Sequence, residues 1–184
     1  EFHLTDNFLD IIRDGFDLAI RIGELQDSSL VQRKLAGDIR VICASPKYLE
    51  QSGQPKSLAD LDFHNCLSAG AQDYWRLQGP DGAHQVRVKG NIRSNSFEFI
   101  REALMAGLGL GLRSIWDIGT ELKNGDLKVV LPEYRGADSV AIHAVYPCRD
   151  FMPEKVNVFI EFLANLYGSS PYWEQGIDIQ RYIA

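Results

Sequence analysis

The sequence predicts an α/β fold, in which strands and helices alternate along the chain. Residues 18–22 form a nearly continuous apolar run closed by Gly23, as expected for a parallel strand covered on both faces. Val156, Phe159 and Leu163 recur at the spacing of one helix face. The chain has 184 residues, of which 45% are hydrophobic and 24% charged, enough for one substantial core or two small ones.

The first part of the chain is predicted to begin with a β-α-β unit. Residues 2–5 form a short strand that leads to Asp6 as an N-cap, and apolar residues at helical spacing continue up to Gly15. The strand at 18–22 completes the unit. The next predicted elements are strands at 30–35 and 39–44 and a helix at 46–51.

A β-hairpin is predicted to interrupt this alternation, because a turn at 79–82 joins two strand-like runs. Asn95 and Ser96 then mark a helix start, and Glu98 follows three residues after Asn95 as in a capping box. The remaining predicted elements are a helix at 114–122, strands at 127–131 and 140–146, and the amphipathic helix that begins after Pro153.

Charge and hydropathy restrict the possible functions. The net charge of −6 argues against nucleic-acid binding by this segment, since such binding depends on clustered Lys and Arg. No apolar stretch approaches the roughly 18 residues of a membrane span, and the start resembles no signal sequence. We therefore expect a soluble, cytoplasmic protein without membrane contact. The absence of an initial Met predicts that native sequence lies upstream.

No residue pattern indicates catalysis or a metal site. The three cysteines, Cys43, Cys66 and Cys148, form no C-x-x-C pair and are expected to be buried structural thiols. The histidines lie at unrelated spacings, and no serine has an identifiable base nearby in the sequence. We therefore predict a protein that is not an enzyme and needs no cofactor.

The glycine-rich run at 106–112 does not match a dinucleotide-binding loop. It lacks the G-x-G-x-x-G spacing, and it follows a predicted helix instead of a strand. Two interpretations stay open: the glycines allow close packing and helix termination, or they let a ligand approach the main chain.

Two predicted helix starts are candidate anion sites, one at Thr5 and Asp6 and the other at Asn95 and Ser96. Each offers free backbone N–H groups, and the helix dipole favours negative charge there. The alternative is that both are ordinary N-caps. If the two starts face one cleft, a small carboxylate is the natural ligand.

Residues 15–23, with the sequence GFDLAIRIG, closely resemble a run found in the effector domains of LysR-type transcriptional regulators. Each such segment is short, and their colinear order makes the resemblance specific. Further matching segments follow in the same order at 35–36, 44–49, 106–110, 124–127, 130–132, 144–147, 155–156 and 159–163.

The resemblance implies a type 2 periplasmic-binding-protein fold, in which two Rossmann-like lobes are joined by two crossing segments and hold a small-molecule effector between them. Residues 1–38 and 140–168 would form lobe I, residues 39–139 lobe II and residues 169–184 a C-terminal tail. Family members begin with a further strand and helix, which have no counterpart before Glu1. One wall of the effector site is therefore expected to be missing.

The resemblance also assigns candidate effector-binding residues. They lie at the two helix starts, at the end of the apolar strand and after the glycine-rich run: Thr5, Asp6, Arg21, Gly23, Asn95, Ser96, Arg113 and Ser114.

The implied function is the effector-sensing and oligomerisation domain of a regulator. It would act as a homodimer or homotetramer that contacts DNA only through a helix-turn-helix domain outside this sequence. The alternative is a solute-binding protein of a transporter, which has the same fold. The sequence leaves open the effector, the target genes and the direction of regulation.

Overall fold

We analysed a computed structural model of the chain that describes residues 1–7, 9–24, 30–70, 73–148 and 152–178. It confirms a mixed α/β architecture. The α-helices of the described residues are α1 (Pro46–Ser52), α2 (Phe97–Met105), α3 (Ile115–Asn124) and α4 (Glu154–Tyr167). The strands are β1 (Ala19–Gly23), β2 (Leu30–Gly37), β3 (Arg40–Ala44), β4 (Ser68–Ala69), β5 (Tyr74–Gly79), β6 (Gly82–Arg87), β7 (Arg93–Ser94), β8 (Gly111–Ser114), β9 (Lys128–Val129), β10 (Arg135–Gly136) and β11 (Ala141–Pro147). Short 3-10 helices cover Leu58–Phe63 and Tyr172–Glu174.

The chain divides into two compact units. The larger unit contains Glu1–Asp6, Ile39–Ala137 and the end of the described chain from Gly176. The smaller unit is formed by Asn7–Asp38 and Asp138–Gln175. Residues 1–6 thus group with the larger unit, whereas the sequence-based division places them in the first lobe.

The larger unit is built on a six-stranded sheet with the order β6-β5-β10-β3-β8, in which β9 also pairs with β3. A separate parallel pair joins β4 to β7. The central strand β3 is almost entirely buried, and its Ile42 is fully enclosed together with Leu77 and Leu110. The core of this unit therefore surrounds β3 and the helices and hairpin that follow it in sequence.

The smaller unit contains a three-stranded antiparallel sheet with the order β1-β11-β2. Helix α4 packs on it, because Val156, Ile160 and Leu163 contact the apolar residues of β2 and β11. The opposite side of α4 is open, with Val158 60% and Phe162 56% exposed. No described helix is long and apolar enough to cross a membrane.

The predicted β-α-β unit at the start of the chain is wrong. Strand β1 forms where expected, but it pairs antiparallel with β11 and leaves Ile22 46% exposed. Residues 2–5 form no strand, and Leu4 is 93% exposed, so no sheet stabilises an extended conformation there. A single turn replaces the helix: Asp10 Oδ1 accepts the N–H groups of Ile12 and Arg13, each at 3.1 Å.

The later helices and the hairpin confirm the sequence-based prediction. Helix α1 has Ser45 as its N-cap and Pro46 at its start. Strands β5 and β6 form the predicted hairpin, and α3 ends at Gly125 in the left-handed conformation with φ of 81°. Strand β10 was not predicted, because its two residues carry no pattern of their own.

The glycine-rich run follows the close-packing interpretation. Gly107 ends α2 with a φ of +81°. A side chain on Gly109 would lie 2.2 Å from the carbonyl oxygen of Asn65, and one on Gly111 would lie 2.8 Å from Leu104. The main chain therefore passes its neighbours at distances that only glycine permits.

The expectation of three buried thiols is correct for Cys43 and Cys66 and wrong for Cys148, which is exposed beyond the end of β11. Burial raises the pKa of the Cys43 and Cys66 thiols to about 12. Both therefore remain protonated and unreactive at neutral pH.

Candidate functional site

The start of helix α2 lies in the larger unit and is capped by Ser96. Its Oγ accepts a hydrogen bond from the backbone N–H of Phe99 at 3.2 Å, and its own N–H donates to Ser94 Oγ at 3.1 Å. The capping box predicted from Asn95 and Glu98 is therefore wrong: the N-cap is Ser96, and Phe99, three residues later, has no side-chain acceptor to complete a box. The helical conformation begins only at Phe97, so Asn95 lies one residue before the cap. Asn95 is exposed.

Asp6 binds to this same helix start. Its Oδ2 accepts a hydrogen bond from the backbone N–H of Phe97 at 3.2 Å, across 91 positions of sequence. The expected role of Asp6 as the cap of a following helix is wrong, since Asp10 accepts the amides of the turn that forms there. The Asp6 carboxylate nevertheless lies at the N-terminus of α2, where free N–H donors and the helix dipole favour a negative charge.

Arg113 lies next to this arrangement. Its side chain is only 4% exposed, and its Nε donates to Asp117 Oδ2 at 2.9 Å in a pair that also involves Nη2. The guanidinium carbon lies 5.5 Å from the centre of the Phe97 ring, a cation–π distance. We call Asp6, Ser96, Phe97, Arg113 and Asp117 the α2 cluster.

Two other predicted residues of the larger unit, Thr5 and Ser114, are not members of the α2 cluster. Thr5 precedes Asp6 and is exposed. Ser114 ends β8 and is the N-cap of α3, although its side chain makes no capping hydrogen bond. The structure thus joins Asp6, Ser96 and Arg113 through shared contacts with Phe97 or its helix turn.

Arg21 and Gly23 belong to the smaller unit. Arg21 Nη2 donates to the carbonyl oxygen of Leu9 at 2.6 Å, which fixes its side chain beside the turn that precedes β1. Burial lowers the pKa of the Arg21 guanidinium, while the negative charge of Asp10 opposes this change. Gly23 has a φ of +151°, a conformation that side-chain-bearing residues rarely adopt.

Sequence reasoning missed Phe97 and Asp117. The i,i+4 spacing of Arg113 and Asp117 could have indicated an ion pair between them. The contact between Asp6 and Phe97 had no such signal, because it depends on the tertiary fold. Among the described residues, no group of three or more His, Cys, Asp or Glu side chains could hold a metal ion.

Comparison with known proteins identifies the relatives of this chain. Residues 1–167 match the family model of the LysR substrate binding domain. The HTH-type transcriptional regulator DmlR of Escherichia coli K12 is 37% identical over 170 residues, which cover 90% of this chain and 55% of that protein. The HTH-type transcriptional activator AaeR of the same strain is 34% identical over 161 residues, covering 86% and 52%. The chain thus spans about half the length of these curated relatives.

Solved structures agree with these sequence matches. The full-length virulence activator AphB of Vibrio cholerae superposes with a TM-score of 0.78 at 27% identity, over 91% of this chain and 58% of that one. The regulatory domain of CrgA from Neisseria meningitidis gives 0.75 at 28% identity, over 85% and 78%. These likenesses confirm the predicted fold class, the type 2 periplasmic-binding-protein-like fold of LysR-type regulatory domains.

Proposed function

Because this chain belongs to the LysR substrate-binding domain family, we propose that it is the effector-sensing part of a LysR-type transcriptional regulator. The observation that carries the proposal is the family match, which extends over residues 1–167. The relatives that match it are HTH-type transcriptional regulators and activators, which favours this function over a solute-binding protein of a transporter. For the same reason the proposed role is binding and not catalysis.

We propose a small carboxylate as the effector and the start of α2 as one of its binding positions. Asp6 already places a carboxylate oxygen 3.2 Å from the Phe97 amide. Arg113 lies beside that ring, and its charge is compensated by the ion pair with Asp117. An effector carboxylate that hydrogen-bonds the α2 amides would therefore compete with Asp6. Thr5, Asn95 and the Ser114 cap of α3 stay predictions for this site.

Arg21 and Gly23 stay predictions in the smaller unit. Arg21 carries a guanidinium suited to bidentate carboxylate binding. Its hydrogen bond to the Leu9 carbonyl holds the side chain in one position, which reduces the entropy lost when a ligand binds.

Regulation requires that the effector binds two states of the protein with different affinity. We propose that this difference reaches a helix-turn-helix domain elsewhere in the polypeptide, which makes the DNA contact. The regulator would work in the cytoplasm as a homodimer or homotetramer. The net charge of −6 on this chain is consistent with DNA contact by another segment.

Isothermal titration of the chain with a panel of small carboxylates tests the effector proposal. We expect at least one saturable ligand, whose binding Ser96→Ala weakens by roughly tenfold, the usual effect of losing one charge-assisted hydrogen bond. Arg21→Ala is titrated separately and tests the position predicted in the smaller unit. Ser52→Ala, at the exposed end of α1, is the matched control and should bind normally.

Loss of the Ser96 cap also costs about 1 kcal/mol of stability, so the unfolding midpoint of each variant is measured alongside. If no carboxylate binds, or if Ser96→Ala leaves the affinity unchanged, the assignment of the α2 start is wrong. Because Asp6 competes for the same amide, Asp6→Ala should tighten binding; weaker binding would contradict the competition.

A further inference from the structure

A polar recess of about 200 Å³ lies in the larger unit, and none of the residues assigned above lines it. It opens beside the parallel strands β4 and β7 and the end of β6. We call it the β7 recess and define it by Ser68, Asp73, Arg87, Lys89 and Arg93, which line it. Three cationic side chains and a single carboxylate line the recess, although the whole chain carries a net charge of −6.

The loop that supplies part of this lining is held rigidly. A side chain on Gly90 would lie 2.0 Å from the carbonyl oxygen of Cys66, so the two backbones are in direct contact. Asn65 and Asn91 exchange two hydrogen bonds: Asn65 Nδ2 donates to Asn91 Oδ1 at 2.8 Å, and the Asn91 amide donates to Asn65 Oδ1 at 2.9 Å. The Cys66 amide donates to the Lys89 carbonyl at 2.9 Å. A loop fixed in this way loses little entropy when a ligand binds.

The charges of the β7 recess are only partly compensated. Arg93 pairs with Asp73, and Lys89 Nζ lies 3.6 Å from a carboxylate oxygen of Asp62. Arg87 lies opposite Tyr74 across the hairpin and forms no ion pair with any described residue. The recess therefore keeps an excess positive charge next to fixed backbone.

Ser68 adds a neutral hydrogen-bond donor to the lining of the β7 recess. It is only 5% exposed, and its backbone N–H donates to the Ile92 carbonyl at 3.3 Å. Its hydroxyl makes no hydrogen bond to another residue in the part of the chain that the structure describes. The hydroxyl oxygen is still reached by solvent, so it is free to donate a hydrogen bond to an oxygen atom of a ligand in the recess.

We infer that the β7 recess binds a small oxyanion, as a phosphate or carboxylate group. Arg87 supplies the uncompensated charge and Ser68 donates a hydrogen bond, while Arg93 is held in place by Asp73. This site is distinct from the α2 cluster, and its occupation does not depend on the proposed effector.

The test is an NMR titration of the ¹⁵N-labelled chain with inorganic phosphate at neutral pH, with sodium chloride adjusted to hold the ionic strength constant. Acetate is titrated in parallel, so that the two sources of oxyanion are distinguished. We expect saturable shifts of the Gly90 and Asn91 amides with at least one of the two anions.

Arg87→Gln should weaken this binding by roughly tenfold and Ser68→Ala by roughly threefold, since each removes one donor from the anion. Lys123→Gln is the matched control, because it removes the same charge from an exposed position of α3 in the same unit. If Ser68→Ala lowers the unfolding midpoint, Arg87→Gln alone decides the result, because its side chain is exposed.

The inference is overturned if neither anion gives saturable shifts or if the shifts centre on the Phe97 amide instead. It is also overturned if Lys123→Gln weakens binding as much as Arg87→Gln, because the effect would then reflect only the overall charge of the chain.

Discussion

The larger and the smaller unit are stabilised in different ways. In the larger unit, backbone segments pass each other at distances that exclude any side chain, as Gly90 and Gly109 do against the Asn65–Cys66 segment. In the smaller unit, one face of α4 packs on a three-stranded sheet and the opposite face exposes Val158 and Phe162. The larger unit should therefore tolerate less added volume and less change in its buried polar groups.

Glycine substitutions test this contrast with the largest expected effect. Gly109→Ala places a carbon atom 2.2 Å from the Asn65 carbonyl oxygen, where the backbone has to move. We expect a loss of about 3 kcal/mol in the free energy of unfolding, measured by denaturant titration.

The matched change in the smaller unit is Gly37→Ala in β2, which meets no atom within 4 Å. It should cost nothing and gain about 0.5 kcal/mol, because alanine restricts the unfolded chain. Equal losses for the two variants would contradict the contrast between the units.

Ion pairs give the next largest effect. Glu121 is 9% exposed where it pairs with Arg101, and its Oε2 has no further partner among the described residues. Arg101→Met leaves this carboxylate buried and uncompensated, so we expect a loss of about 1–3 kcal/mol in unfolding free energy.

Arg33 and Glu161 form the comparison pair in the smaller unit, with side chains 39% and 49% exposed. Arg33→Met should lower the denaturant midpoint only slightly, because water screens an exposed pair. A larger loss of unfolding free energy for Arg33→Met than for Arg101→Met would contradict the expectation that the larger unit depends more on its ion pairs than the smaller unit does.

The smallest expected effect concerns two carboxylates whose pKa values are lowered by different partners. Asp60 in the larger unit accepts the backbone N–H groups of Lys56 and Ser57 at 2.8 and 3.0 Å, and these bonds lower its pKa. Arg33 lowers the pKa of Glu161 in the smaller unit, chiefly through their side-chain hydrogen bond.

A carboxylate with a lowered pKa stabilises the fold above its ordinary pKa, and this contribution disappears as the pH falls through the folded-state value. The difference in midpoint between wild type and Asp60→Asn should thus shrink below the ordinary pKa of 3.8. In 1 M NaCl the effect of Glu161→Gln should disappear while that of Asp60→Asn persists, since salt screens the exposed pair. Equal salt sensitivity would contradict this distinction.

Local patterns made much of the fold predictable. The amphipathic spacing of α4, the Pro46 start of α1 and the turn of the β5–β6 hairpin lie within short stretches of sequence. The chain's colinear resemblance to effector domains predicted the family, which the family match then confirmed. Such features are set by neighbouring residues, and a single sequence therefore contains them.

Long-range pairing accounts for what could not be predicted. The direction of β1 depends on β11, which follows more than a hundred residues later, and an apolar run fits both parallel and antiparallel sheets. The Asp6 contact with Phe97 spans 91 positions. The exposure of Cys148 follows from its place beyond β11 and has no signal in its own neighbours.

The Asn65–Cys66 segment, enclosed by Gly90 on one side and Gly109 on the other, also limits how the larger unit opens to solvent. The Leu110 amide donates to the Asn65 carbonyl at 2.8 Å, and the Cys66 amide donates to Lys89 at 2.9 Å. Fraying at an edge cannot release either bond while both glycine backbones stay in contact with the segment. The deuterium exchange of these two amides should therefore follow cooperative opening of the whole unit, and it reports the free energy of that opening separately from the smaller unit.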